Sequence, residues 1–357
     1  MLTIGIVGLP NVGKSTLFNA LSNNNVLAAN YPFATIEPNT GIVPIPDERL
    51  DKLAELYHTQ KVVPATVTFV DIAGLVAGAS QGEGLGNQFL SHIRTTNAII
   101  HVVRAFNDNN VVRVTNETNP QKDIDIITTE LVLADLQTVE KRLPRIEKEA
   151  KVDAKLKPIA ETVHAVFDLL NQDKPIYNFQ AIDKTHIADL QLLSAKPVIY
   201  VFNVDEQELQ DEKYTTGLCQ IVAPARALCI CAKLENELLG LDKTDATELL
   251  QSYGQSESGL VQLVHTAYDV LGLQSFLTAG EKEVRAWTIH KGATAPEAAG
   301  TIHGDFQRGF IAAQIVNYDD LITAGSLSAA RAAGKVRTEG KDYVMQPGDV
   351  VEFRFNV

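Results

Sequence analysis

The sequence predicts an α/β domain with a mostly parallel sheet, interrupted by an inserted helical hairpin and followed by a smaller α+β domain. Three observations predict it. Short apolar, β-branched runs alternate with helical patterns over residues 1–120 and 196–274. Apolar positions at helical spacing fill residues 121–195. Strand-like runs punctuated by glycine turns fill residues 275–357.

The elements follow in order. Thr3 to Val7 is a short β-rich run, and Lys14 to Asn23 reads as a helix. Thr66 to Val70 is β-branched and ends in Asp71; Ala98 to Val103, Pro197 to Phe202 and Ala227 to Cys231 are further apolar runs. Runs without polar alternation belong to strands covered on both faces, as in a parallel sheet flanked by helices. Asp123 to Ala150 and Ile159 to Leu170 carry the helical spacing, and Pro158 suits the first turn of a new helix. The turn between them is basic: from Glu140 to Lys157 seven Lys or Arg face four acids. A solvated helix face explains such a run, and so does contact with an anionic partner. From Ser275 onward, Ala286-Trp287-Thr288-Ile289, Thr301-Ile302-His303, Phe310 to Val316, Tyr343-Val344-Met345 and Val350 to Phe355 read as strands.

Composition narrows the class. With 357 residues the chain has room for about two to three domains. Hydrophobic residues make up 45% and charged residues 21%, which excludes a disordered chain. A net charge of −13 excludes a surface basic all round, though not a local basic patch. No apolar run is long enough to span a bilayer. Met1 leads directly into the first strand without the charged start of a signal peptide, so a cytoplasmic protein is expected. Cys219, Cys229 and Cys231 read as reduced, buried thiols rather than a disulfide framework or a metal site.

Gly8-Leu9-Pro10-Asn11-Val12-Gly13-Lys14-Ser15, followed by Thr16, is a complete G-x-x-x-x-G-K-[ST] loop between a strand and a helix, the context a P-loop requires. Gly8 and Gly13 let successive N–H groups converge into an anion nest at a helix N-terminus. Lys14 would sit on the β/γ-phosphates and the Ser15 hydroxyl would ligate Mg²⁺. Asp71-Ile72-Ala73-Gly74 then supplies a D-x-x-G element, with Asp71 toward the metal and the Gly74 N–H toward the γ-phosphate. Thr35 is the candidate second hydroxyl ligand; its alternative is an ordinary loop threonine. Leu75 stands where many GTPases place a water-orienting glutamine, which predicts slow intrinsic hydrolysis or outside help. K⁺ held with Asn11 is one such helper. The run Gly78 to Gly86 reads as a mobile switch and not as a dinucleotide fingerprint.

After Pro197 to Phe202 comes Asn203-Val204-Asp205-Glu206, where a GTPase would carry N-K-x-D. Valine replaces the base-packing lysine and a longer glutamate takes the fourth position, so the guanine clamp is weakened. Asp205 accepting from guanine in a shifted register would restore it. Cys231-Ala232-Lys233 occupies the place of the base-stacking S-A-K loop. His265, His290 and His303 lack neighbouring ligand residues and read as structural or solvated.

Together these elements resemble the YchF family, the Obg-like ATPases of the P-loop GTPase superclass. The resemblance rests on Gly8 to Thr16, Tyr31-Pro32-Phe33, Asp71 to Val76, Gly82 to Asn87, Asn203 to Glu206, Ala232 to Glu235, Thr278-Ala279-Gly280, Glu283 to Thr288 and Phe353 to Val357, nearly the whole chain. It implies an α/β P-loop NTPase domain, the helical insertion, and a C-terminal TGS domain of β-grasp form. It further implies ATP hydrolysis in preference to GTP, Mg²⁺ dependence, adenine read near Val204, and binding to the 70S ribosome and its 50S subunit by a monomer. Arg113 stands where the family usually has a histidine proposed to assist hydrolysis, and Cys231 replaces a serine. A ribosome-assembly GTPase and a binding protein with structural nucleotide are the alternative functions.

Overall fold

A computed structural model describes residues 2–23, 40–72, 85–106 and 119–356. The chain forms two compact units, residues 1–43 with 68–267 and residues 44–67 with 268–357. Among the described residues no helix is long and apolar enough to cross a membrane.

The first unit is built on a six-stranded sheet. Its strands are β1 (Thr3–Val7), β2 (Thr40–Pro44), β4 (Thr66–Asp71), β5 (Ala98–Arg104), β6 (Val198–Asn203) and β7 (Arg226–Ile230), in the order β2-β4-β1-β5-β6-β7. The pairs β1–β4, β1–β5, β5–β6 and β6–β7 are all parallel. Every residue of β5 and of β6 is buried, which is why neither shows polar alternation. Helices α1 (Lys14–Asn23), α3 (Leu85–Arg94), α6 (Glu206–Gln210), α7 (Glu212–Ile221), α8 (Ala232–Glu237), α9 (Lys243–Ser252) and α10 (Gly259–Val270) complete the α/β pattern. The register sets Ile6 beside Asp71 and Arg104 beside Asn203, so the functional ends of these strands lie together.

Between β5 and β6 runs the helical insertion. Helix α4 (Pro120–Val152) starts from Asn119, whose side chain accepts from the Lys122 N–H, and continues through Pro144. It ends at Asp153; a short 3-10 turn precedes α5 (Lys157–Leu170), which carries Pro158 in its first turn. Val132, Val139 and Ile146 on α4, seven residues apart, pack with Ala160, Val163, Val166 and Leu170 on α5. Asp135 fastens α4 to the segment entering β6. Fully buried, it accepts from the Leu193 N–H at 2.8 Å, the Ser194 N–H at 2.7 Å and the Ser194 hydroxyl at 2.7 Å.

The second unit departs from the expected boundaries. Residues 44–67, expected with the nucleotide domain, group with the C-terminal part, which begins at 268 rather than 275. The reason is strand pairing: β3 (Val62–Val63) runs parallel to β9 (Val284–His290) and lengthens its sheet, while α2 (Glu48–Tyr57) buries Leu50, Leu53 and Ala54. That sheet also contains β8 (Leu273–Ala279), β10 (Phe310–Asn317), β11 (Arg337–Glu339) and β12 (Asp349–Phe355), in the order β11-β10-β12-β8-β9-β3. Strand β12 sits between β10, antiparallel, and β8, parallel, as a β-grasp fold arranges its last strand. Helix α11 (Ala295–Ile302) lays Ala295, Ala298 and Ala299 on a core of Phe276, Ile289, Phe310, Ile315 and Val351.

Candidate functional site

The loop after β1 turns on two left-handed residues, Asn11 at φ 64° and Gly13 at φ 92°. Gly13 is required twice over, since a Cβ there would also lie 2.2 Å from Asn203 Nδ2. At Gly8 a Cβ would stand 2.7 Å from the Val102 carbonyl oxygen, so this glycine answers to β5 rather than to torsion. Helix α1 opens at Lys14 with the Leu17 N–H donating to the Gly13 carbonyl at 3.0 Å. Ser15 and Thr16 are exposed in its first turn, and Val12 is buried beneath the loop.

Because β4 lies beside β1, Asp71 stands against the loop, and its carboxylate forms an ion pair with Lys14 Nζ. Both side chains are largely shielded, at 11% and 18% exposure. The Ser15 hydroxyl and the Asp71 carboxylate are hard oxygen donors of the kind Mg²⁺ takes, so the residues fit that ion. Among the described residues no cluster of three or more His, Cys, Asp or Glu forms a metal site by itself.

At the end of β6, Asn203 joins two loops. Its Nδ2 donates to the Val12 carbonyl at 3.0 Å and its Oδ1 accepts from the Ala232 N–H at 3.0 Å. Next to it the Val204 N–H is taken by the Ile230 carbonyl at 3.0 Å. Asp205 caps α6: its carboxylate accepts from the Gln207 N–H at 3.0 Å and the Glu208 N–H at 2.8 Å, and Glu208 answers on the Asp205 N–H. Glu206 pairs with Lys233 Nζ at 2.6 Å, and that hydrogen bond holds its carboxyl below the usual carboxylate range. Cys231 is buried at the start of α8, its sulfur accepting from the Leu234 N–H at 3.5 Å; burial pushes its thiol pKa up, so it stays protonated. A cavity of about 1030 Å³ joins Asn11, Gly13, Lys14, Ser15 and Thr16 to Asn203, Val204, Glu206, Cys231, Ala232 and Lys233. That is nucleotide-sized.

One residue the motifs did not single out belongs to this wall. Phe106 lines the cavity just beyond β5, with the Arg104 guanidinium 4.3 Å over its ring. Glu235, buried in α8, accepts from the Ser258 hydroxyl at 2.6 Å and the Gly259 N–H at 2.7 Å, tying the base loop to the start of α10. A long apolar strand ending in Arg-Ala-Phe was the only signal for Phe106. His303 caps α12 (Gly304–Arg308), and neither His265 nor His290 lines this cavity. Thr35, Gly74, Leu75, Arg113 and most of Gly78 to Gly86 lie outside the described residues.

Comparison with known proteins places this geometry. The family YchF-GTPase_C, described as "Protein of unknown function (DUF933)", matches residues 273–356, and the family MMR_HSR1, described as "50S ribosome-binding GTPase", matches residues 3–134. The chain is 49% identical over 364 residues to the "Ribosome-binding ATPase YchF" of Bacillus subtilis, covering 100% of each chain. It is 49% identical over 359 residues to the protein of the same description from Escherichia coli O157:H7, covering 99% of each. Among solved structures, that of the Schizosaccharomyces pombe YchF GTPase aligns with a TM-score of 0.87 at 39% identity, covering 99% of this chain and 97% of that one.

Proposed function

The chain belongs to the YchF family, and from that premise we propose that it is a slow Mg²⁺-dependent ATPase that prefers ATP to GTP and binds the ribosome. Nucleoside triphosphatase activity follows from the P-loop domain and from relatives described as ATPases. The observation that carries the base preference is the engagement of both candidate guanine acceptors. Asp205 is spent on two N–H groups of α6, and Glu206 on Lys233. Guanine would have to compete for a carboxylate already paired, whereas adenine asks for no carboxylate.

In this reading the N–H groups of residues 11–16 and the Lys14 ammonium bind and orient the β- and γ-phosphates. Ser15, Asp71 and Thr35 would hold Mg²⁺, which when bound would neutralise charge developing on the phosphates. The Gly74 N–H would face the γ-phosphate. Asn11 would contribute to a K⁺ site, and the absence of a hydrogen-bonding side chain at Leu75 keeps turnover slow.

The relatives' descriptions as ribosome-binding support a ribosomal partner, here the 70S particle and its 50S subunit, for a cytoplasmic monomer. The basic hairpin and the C-terminal TGS domain are the proposed contacts. Co-sedimentation with purified 70S ribosomes and 50S subunits, with and without ATP, tests this. Failure to sediment with either particle would refute the ribosomal assignment while leaving the ATPase assignment standing.

A further inference from the structure

Three cysteines lie within residues 219–231, and the fold treats them differently. Cys231 is buried and committed, its sulfur accepting from the Leu234 N–H at 3.5 Å at the start of α8. Cys219 and Cys229 are only half-buried, short of the burial the sequence predicts for them. They belong to different elements, Cys219 to the last turn of α7 and Cys229 to β7.

The two sulfurs meet. Cys229 Sγ donates to the Thr215 carbonyl at 3.7 Å, which sets it against α7. Thr215 and Cys219 are four positions apart and share one face of that helix, whose side chains lean toward its N-terminus. The Cys219 thiol is thereby directed to where Cys229 lies, and a side-chain hydrogen bond links the two. Burial first, and then the neighbouring sulfur of Cys219, push the Cys229 thiol pKa up, so Cys229 stays protonated at neutral pH. Among the described residues no third His, Cys, Asp or Glu joins the pair to make a metal site.

We infer that Cys219 and Cys229 form a reversible disulfide when the protein meets a hydroperoxide. Cys219 reacts first, because its partner is held as the unreactive thiol. The Cys219 thiolate attacks the outer peroxide oxygen, the O–O bond breaks, and water or an alcohol leaves a sulfenic acid behind. The negative charge that opposed ionisation of Cys229 is then gone. The Cys229 sulfur attacks that of Cys219, the S–S bond forms, and the S–O bond breaks with the hydroxyl leaving as water. The pair gives up two electrons and two protons, which turn one H₂O₂ into two waters. A dithiol reverses the reaction by exchange.

The position gives the bond a consequence. Strand β7 passes from Cys229 through Ile230 to Cys231 and Ala232, which line the nucleotide cavity. Helix α7 is anchored by the Tyr214 hydroxyl, which donates to the Ala105 carbonyl at 3.1 Å, next to Phe106 of the same cavity. The disulfide would therefore join two elements that support the cavity wall.

The test uses the full chain, fully reduced, exposed to a small excess of H₂O₂, then denatured and thiol-blocked. Trypsin cuts after Lys213, Arg226 and Lys233, so the bond joins residues 214–226, with Cys219, to residues 227–233, with Cys229 and Cys231. The expected result is that joined pair, a chain lighter by two hydrogens, and one free thiol left of three. Cys231→Ser should keep the joined peptides, whereas Cys219→Ser and Cys229→Ser should each abolish them. The oxidised wild type should melt higher than the reduced protein, because the link restricts the unfolded chain, and dithiothreitol should reverse the rise. Three thiols surviving peroxide, sulfinic acid at Cys219 without joined peptides, or a link through Cys231 would each overturn the inference. So would an oxidised protein that melts below the reduced one, since the bond would then require α7 and β7 to be pulled out of place. The wild-type peptide map decides the matter even if a variant fails to fold.

Discussion

Asn203 and Val12, 191 positions apart, are joined by a 3.0 Å hydrogen bond from the Asn203 side chain to the Val12 carbonyl. Through its other amide atom Asn203 also holds the Ala232 N–H, so the phosphate loop and the base loop share one buried side chain. This is how two motifs in separate parts of the sequence come to form one cavity.

Asn203→Ala should therefore damage binding of any nucleotide, not of one base. It leaves the Val12 carbonyl and the Ala232 N–H without partners, at about 1–3 kcal/mol for each buried group. We expect the affinities for ATP and GTP to fall together by about tenfold to a hundredfold, with a lower melting temperature. Calorimetric titration with both nucleotides checks this; a loss for one base alone would contradict it.

Lys14→Ala removes both the phosphate cation and the partner of Asp71. ATP turnover should drop by about 10²–10³-fold, the scale for losing one preorganised transition-state contact. Circular dichroism should show the fold retained, because the pair lies at the first residue of α1 and at the end of β4 rather than in the core. Single-turnover hydrolysis by the variant at the wild-type rate would contradict the assignment.

One titratable group of the sheet, His101, is buried away from the nucleotide cavity. His101 is fully buried in β5, with its Nε2 unpartnered among the described residues, and burial lowers its pKa to about 3. The unfolded histidine titrates near 6.5, so between about pH 6.5 and pH 3 the unfolded chain binds the extra proton. Stability from this group is complete above about pH 6.5 and is lost as pH falls, by about 2 kcal/mol at pH 5. His101→Phe should flatten that part of the acid limb in urea melts at pH 7 and pH 5. An unchanged difference between the two pH values would assign the acid sensitivity to other groups.

Much of the first unit was legible in the sequence. Apolar runs at 98–103 and 197–202 mark fully buried strands, and Pro158 marks the start of α5, because burial on both faces and helix initiation leave direct signatures. The P-loop was legible for the same reason: only glycine fits where Gly13 meets Asn203. What stayed hidden depends on contacts distant in sequence. The placement of residues 44–67 rests on β3 pairing with β9, more than 200 positions away, and two valines carry no mark of their partner strand. Glu235 resembles any helix-surface glutamate until Ser258 and Gly259 are seen to cap on it. The three cysteines were visible, yet the meeting of Cys219 with Cys229 was not, because their sulfurs come together only when α7 packs on β7.

The central claim is that Asp205 and Glu206 are committed within the protein and leave guanine without its clamp. The most direct measurement is the affinity of purified, nucleotide-free protein for fluorescent ATP and GTP analogues, in buffer containing Mg²⁺ and K⁺. Tighter binding of ATP is the predicted result. Tighter binding of GTP would contradict it, showing that one of the two carboxylates leaves its partner to grip guanine, and would favour a GTPase acting in ribosome assembly.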